Sequence, residues 1–138
     1  MVDIDKIKYY GWWYRWCENK HEHNWWFSVY DEQIYNTDEL VGKFSFESYD
    51  DIVSADGYIP LWKTDESEVI ESFLRGLNNK EADKYLESHT ADEGFREFER
   101  YIESHNNYIR TWWYEYSDKR IKEDAANWCR KNRIAYKK

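Results

Sequence analysis

The sequence predicts a single α+β domain over residues 1–138, in which a small antiparallel sheet from residues 1–62 packs on three or four helices from residues 63–138. Three observations predict this class. Aromatic residues alternate at period two in the first half, and apolar residues recur at helical spacing in the second half. The nine Trp, 13 Tyr and six Phe residues can each bury roughly 150–250 Å², which gives one domain an aromatic core.

The first half is predicted to be rich in β-structure. Residues 24–30 place aromatic side chains on both faces of a strand, with Trp25, Phe27 and Val29 on one face, Asp31 and Glu32 make a turn, and residues 33–36 return as the second strand of a hairpin. Residues 9–17 are equally aromatic and are predicted to be another strand, because Gly11 disfavours a helix. The shorter predictions are a helical turn at 3–8, a connection at 18–23, a strand at 43–47, a helical turn at 50–53, a turn at 55–57 and an extended segment at 58–61.

The second half is predicted to be helical. The predicted helices cover residues 65–77, 80–88, 90–104 and 107–132, the third starting at a capping box of Thr90 and Glu93. In the last segment Trp112 and Trp113 are placed on one apolar side, and a break is expected at Ser117, which would cap the next helix. The predicted helical core consists of Phe73, Phe95, Phe98, Trp113 and Trp128, joined by Trp25 or Trp26 of the hairpin.

The charge distribution limits the partners that this protein can have. The net charge is −8, but residues 119–138 carry +6 and the remainder −14. An acidic body favours a basic partner protein, and nucleic acid is disfavoured because no positively charged track accompanies the aromatic N-terminal residues. Neither a membrane-spanning run nor the apolar region of a secretory signal is present. We therefore expect a cytoplasmic protein without a membrane contact.

Candidate metal ligands and catalytic groups are few. Cys17, His21 and His23 are the one group of soft ligands, but their spacing matches no common zinc template and no second pair completes it. Solvated loop histidines are the simpler interpretation, so no metal or cofactor is predicted. Cys17 and Cys129 are expected to be free thiols. Phosphate-binding, nucleophile-elbow and zinc-protease motifs are all missing, so no catalytic residue is assigned.

Several motifs in the second half resemble those of a known family. Residues 94–101 (GFREFERY), 113–116 (WYEY) and 126–129 (ANWC) resemble the C-terminal signature of a bacterial family of unknown function, uncharacterised protein family 158. The upstream residues 58–60 (YIP) and Phe73 also match. Glu97 and Tyr116 depart from that pattern, since the family more often has Arg and Phe there. The resemblance implies a fold and no reaction.

Arg96 has two interpretations. It pairs with Glu93 or Glu99 at helical spacing, or it stacks on Trp113 or Tyr114 and presents its guanidinium to an acidic group of a partner. The second interpretation makes Arg96, Trp113 and Tyr114 the candidate binding residues.

Three classes of function remain open. The leading class is a non-catalytic protein-interaction module, of the inhibitor or immunity type, whose acidic face meets a basic protein. The second is a small-ligand-binding or enzymatic role in a cleft between the sheet and the helices. The third is a structural protein that oligomerises through exposed Trp residues.

Overall fold

The computed structural model describes residues 1–13, 22–43, 46–88, 95–104 and 107–138, excluding the side chains at positions 13, 43, 88, 95, 96, 99 and 107. In chain order the elements of this part are β1 (Val2–Asp3), α1 (Ile4–Ile7), α2 (Tyr10–Trp13), β2 (Trp25–Ser28), β3 (Ile34–Asn36), α3 (Thr37–Lys43), α4 (Tyr49–Ser54), β4 (Tyr58–Pro60), α5 (Glu66–Gly76), α6 (Lys80–Ser88), α7 (Phe95–Glu103), α8 (Asn107–Lys131) and β5 (Tyr136–Lys137). The α+β class with C-terminal helices is confirmed.

The chain forms two compact units. Unit 1 consists of Met1–Lys63 and Lys122–Lys138, and unit 2 consists of Thr64–Ile121. The boundary after Lys63 lies one residue beyond the predicted boundary between the β-rich and the helical parts. The C-terminal residues, which were predicted to belong to the helical part, fold with unit 1. The prediction of a single domain stays a prediction.

Unit 1 contains two small sheets. The first has the strand order β3-β2-β4, and both pairings are antiparallel. Trp26 lies opposite Tyr35, and Phe27 lies opposite Ile34 on one side and Ile59 on the other. The predicted hairpin of β2 and β3 is therefore confirmed. In the second sheet β1 pairs in parallel with β5.

The strand predicted at residues 9–17 is wrong where the structure describes it, because Tyr10–Trp13 form helix α2. Gly11 is buried in this helix, and a Cβ atom there would lie 2.1 Å from Nε1 of Trp62. The glycine thus allows an indole ring to approach the helix backbone closely, and it does not mark an extended segment. The rest of the predicted strand and most of the predicted connection at 18–23 lie outside the described residues.

The strand predicted at residues 43–47 is also wrong in its described part. Helix α3 ends at Lys43, and Phe46 and Glu47 belong to no strand, while residues 44–45 are outside the description. A reciprocal cap starts this helix: Oδ1 of Asn36 accepts from the Glu39 amide at 2.7 Å, and Oε1 of Glu39 accepts from the Asn36 amide at 3.3 Å. Such a capping box favours a helix after residue 36.

The core of unit 1 has two described clusters, and Trp128 belongs to the first. The Trp128 ring lies 5.7 Å from Phe27 and 5.3 Å from Trp62, and its Nε1 donates to the Pro60 carbonyl at 2.9 Å. The second cluster buries Trp26 with Leu40 and Ile52. Trp25 is partly buried against the first cluster. The prediction that Trp128, with Trp25 or Trp26, joins the helical core of Phe73 is therefore wrong.

The core of unit 2 is a triangle of buried aromatic rings. Trp113 lies 5.1 Å from Phe73 and 4.6 Å from Phe98, and Phe73 lies 6.5 Å from Phe98. These three residues form the helical core that the sequence predicts, whereas the side chain of Phe95 is outside the description. Helix α5 begins within one residue of its predicted start, and Asp65 caps it by accepting from the Glu68 amide at 3.2 Å.

Helix α8 is continuous through Ser117, so the predicted break is wrong. The Ser117 hydroxyl donates to the Tyr114 carbonyl one turn earlier, at 3.3 Å, and is satisfied inside the helix. The apolar stripe shifts after Tyr116 because the residues of α8 up to Ile121 pack in unit 2 and the later ones in unit 1. The apolar residues of α8 are therefore irregularly spaced because the helix contributes to two cores, and a capped break is not the cause.

Candidate functional site

The first half of α8 carries an exposed aromatic surface. Tyr108, Trp112 and Tyr114 are 73%, 52% and 59% exposed. Tyr108 and Trp112 are four residues apart, so they neighbour each other on the helix, and their ring centroids are 6.5 Å apart. Exposed Thr111 and Glu115 lie on the same side of the helix. We call Tyr108, Thr111, Trp112 and Glu115 the α8 face. Tyr114 is exposed on another side of the helix, because it follows Trp112 by two residues.

The acidic charge of the chain is concentrated in unit 2. This unit has 14 acidic and eight basic residues, a net charge of −6, whereas unit 1 has 14 acidic and 12 basic residues, a net charge of −2. Residues 122–138, which make up most of the basic C-terminal segment, belong to unit 1, where Lys122 pairs with Asp5 at 3.2 Å and Lys137 with Asp3 at 4.0 Å. The segment thus compensates acids of its own unit.

Within unit 2 the acids near α8 differ in how they are paired. The Arg120 guanidinium lies 2.5 Å from Oε2 of Glu68 and holds the pKa of that carboxyl below its usual range. Glu115, on the α8 face, forms no ion pair with any described residue and is exposed. Its carboxylate is therefore available to a cation from outside.

The structure separates the predicted binding residues. Trp113 is 2% exposed and part of the aromatic core, so its predicted contact with a partner is not available in this conformation. Tyr114 is on the surface, because successive residues of a helix point about 100° apart. Arg96 lies in α7, but its side chain is outside the description.

Sequence reasoning missed both rings of the α8 face, Tyr108 and Trp112. Trp112 was predicted to lie inside with Trp113, but Trp112 is half exposed and only Trp113 is buried. The signal that was available is the pair Tyr108 and Trp112 at a spacing of four, offset from the inward Ile109 and Trp113. A second aromatic stripe on one helix indicates a second surface.

The proposed soft-ligand group lies mostly outside the described residues, which include His23 but not Cys17 or His21. His23 is half-buried and edge-on to the Trp26 ring at 5.7 Å, and its Nδ1 is buried with no hydrogen-bond partner among the described residues. It is thus less solvated than predicted. In the described ranges, no group of three or more His, Cys, Asp or Glu side chains is arranged to hold a metal ion.

Cys129 is a buried free thiol in the core of unit 1. Burial raises the pKa of this thiol to about 11. Cys129 therefore stays protonated at neutral pH, and a role as a nucleophile or a metal ligand, both of which need the thiolate, is disfavoured.

Unit 1 also contains a cleft of about 370 Å³, which we call the β1 cleft. It is lined by Met1, Val2, Asp3, Lys6, Ile7, Tyr10, Asp31, Glu32, Gln33, Ile34 and Lys137. Its volume falls at the lower end of the range of small-molecule sites, about 300–1,000 Å³. Apolar side chains and charges of both signs meet there, so the cleft has the mixed lining that such sites require.

None of the helices in the described ranges combines the length and the hydropathy that crossing a membrane requires.

Comparison with known proteins gives no assignment: the chain matches no protein-family model, no curated protein and no solved structure. The resemblance to uncharacterised protein family 158 stays a prediction from the motifs.

Proposed function

We propose that this protein is a non-catalytic, cytoplasmic protein-binding module, of the inhibitor or immunity type, whose α8 face binds a basic surface of a partner protein. The observation that carries the proposal is the exposure of Tyr108 and Trp112, one turn apart on one side of one helix, by more than half. Aromatic residues on a rigid helix are typical interface anchors, because they bury a large area and lose little conformational entropy.

The chemistry of the α8 face favours Arg or Lys side chains as its counterpart. The faces of Trp and Tyr rings attract a guanidinium or ammonium group, and Glu115 on the same side of α8 supplies a carboxylate. The net charge of −6 on unit 2 would also accelerate the encounter with a positively charged protein. All three features attract the same class of partner.

Two further parts of the proposal depend on the sequence alone. Arg96, in α7, is proposed to contact an acidic group of the same partner. Membership of uncharacterised protein family 158, and with it a bacterial origin, is supported by the three motifs in the second half of the chain. That membership would add no reaction to the proposed binding role.

A capture experiment with matched variants tests the proposal. The wild-type chain, a Tyr108→Ala/Trp112→Ala variant and a Tyr30→Ala control are immobilised and incubated with host lysate at low and at moderate salt. Tyr30 is 72% exposed, as Tyr108 is, but it belongs to unit 1. We expect basic proteins that the wild type and the control retain, that the double variant loses, and that moderate salt releases.

The partner identified in this way is then purified for a titration. The double variant is expected to bind it at least about 30-fold more weakly than the wild type, the loss of one interface hot spot of about 2 kcal/mol. Retention of the same proteins by the double variant would contradict the proposal. A sedimentation experiment in which the wild type is a dimer and the double variant a monomer would assign the face to self-association instead.

A further inference from the structure

The floor of the β1 cleft is apolar. Val2 and Ile7 are buried members of the first core cluster of unit 1, and Tyr10 and Ile34 are partly buried against it. The cleft therefore opens onto the flank of a packed hydrophobic core. A ligand that places an apolar group on this floor would remove apolar surface from water on both sides.

Most of the charged groups at the rim of the cleft neutralise one another. The ammonium group of Met1 lies 3.1 Å from Oε2 of Glu32, and Nζ of Lys137 lies 4.0 Å from Oδ2 of Asp3. Two lining residues remain, Lys6 and Asp31, and within the described part of the chain neither forms an ion pair. The cleft thus presents one cation and one anion that are not compensated by its own walls.

The Asp31 carboxylate is held in place by its neighbours. Its Oδ1 accepts from the Gln33 amide at 3.1 Å, and its Oδ2 accepts from the Tyr35 hydroxyl. These hydrogen bonds lower the pKa of the carboxyl, with the Tyr35 hydroxyl as the largest cause. A carboxylate has about four acceptor positions, so Asp31 can accept further donors without giving up either bond.

We infer that the β1 cleft binds a small zwitterion with an apolar body, namely a free hydrophobic α-amino acid. Its ammonium group would pair with Asp31, its carboxylate with Lys6, and its side chain would cover Val2, Ile7 and Ile34. This site is independent of the proposed function, because every residue in it belongs to unit 1. A ligand with both charges and an apolar group can contact Asp31, Lys6 and the apolar floor together. A ligand with one charge can pair with only one of the two charged residues.

The test is a titration of the isotope-labelled full chain with L-leucine and with L-phenylalanine, in which NMR measures the backbone amide chemical shifts. We expect saturable shifts confined to residues that line the cleft, such as Lys6 and Gln33. N-acetyl-L-leucine lacks the ammonium group and L-leucinamide lacks the carboxylate. Each derivative is expected to bind at least about tenfold more weakly than leucine. Equal binding of either derivative would overturn the inference.

Matched variants assign the two charged contacts. Asp31→Asn and Lys6→Gln are each expected to weaken leucine binding about tenfold or more, because each keeps the shape of the side chain and removes its charge. Asp56→Asn and Lys131→Gln change exposed residues of the same types in unit 1, away from the cleft, and should leave binding unchanged. The absence of cleft shifts at about 20 mM of both amino acids would overturn the inference and leave the α8 face unaffected.

Discussion

Replacement of Trp128 by Ala is expected to remove a large part of the stability of unit 1. The side chain is 7% exposed, packs against Phe27 and Trp62, and donates its Nε1 hydrogen to the Pro60 carbonyl at 2.9 Å. A buried Trp→Ala change costs about 3–5 kcal/mol through lost transfer energy and the cavity. The lost hydrogen bond, worth about 1 kcal/mol, places the expected cost at the upper end of that range.

Trp128→Phe separates the two contributions. This variant keeps an aromatic ring but leaves the Pro60 carbonyl without its donor, so we expect a cost of about 1–3 kcal/mol. Urea unfolding followed by far-UV circular dichroism measures the free energy of unfolding of each variant. Trp112→Ala is the control, because a half-exposed ring on the surface should change stability by about 0.5 kcal/mol or less. A Trp128→Ala cost below about 1 kcal/mol, or one equal to that of the control, would refute the packing described for Trp128.

Three further predictions follow from the structure. Gly11→Ala should destabilise the protein by about 1–3 kcal/mol, because its Cβ would meet the Trp62 ring. Gly42→Ala should stabilise it by up to about 1 kcal/mol, because the Cβ on α3 would lie in open space. Equal unfolding midpoints of the two variants would contradict this. Arg120 lowers the pKa of Glu68, and this pair stabilises the folded chain by less than about 1 kcal/mol. The stabilisation is present above the unfolded pKa of Glu68, near 4.5, and is lost as the pH falls through the folded pKa. The stability of Glu68→Gln should therefore fall less over that acidic range than the stability of the wild type. Burial raises the pKa of Cys129 to about 11. In a chain that lacks Cys17, Cys129 should therefore resist maleimide at about pH 8 and react once urea unfolds the protein. Rapid labelling of the folded chain would show that the thiol is accessible.

The parts of the fold that depend on local signals could be predicted from the sequence. Helix α6 has the predicted bounds, and α5 lies within one residue of the predicted bounds at each end, because the apolar periodicity that predicts them lies within the segment itself. The hairpin also follows from alternation around a short turn. Helix α3 carried such a local signal in Asn36 and Glu39, and it was overlooked.

The parts that depend on distant residues could not be predicted in this way. Gly11 is helical because a Trp ring from residue 62 packs on it, and nothing near residue 11 in the sequence indicates that neighbour. The choice between Trp112 and Trp113 for the core depends on which side of α8 meets Phe73 and Phe98. The candidate binding surface differs from the prediction for the same reason. Trp113, the predicted binding residue, is buried, and Trp112 is exposed in its place.

Hydroxyl-radical footprinting of the chain with its captured partner tests the binding role of the α8 face most directly. Oxidation of each aromatic side chain is measured by mass spectrometry in the free protein and in the complex. We expect Tyr108 and Trp112 to become protected, while Tyr30, which is as exposed as Tyr108 in the free chain, is oxidised as before. Unchanged oxidation of Tyr108 and Trp112 in a fully formed complex would contradict the binding role of the α8 face.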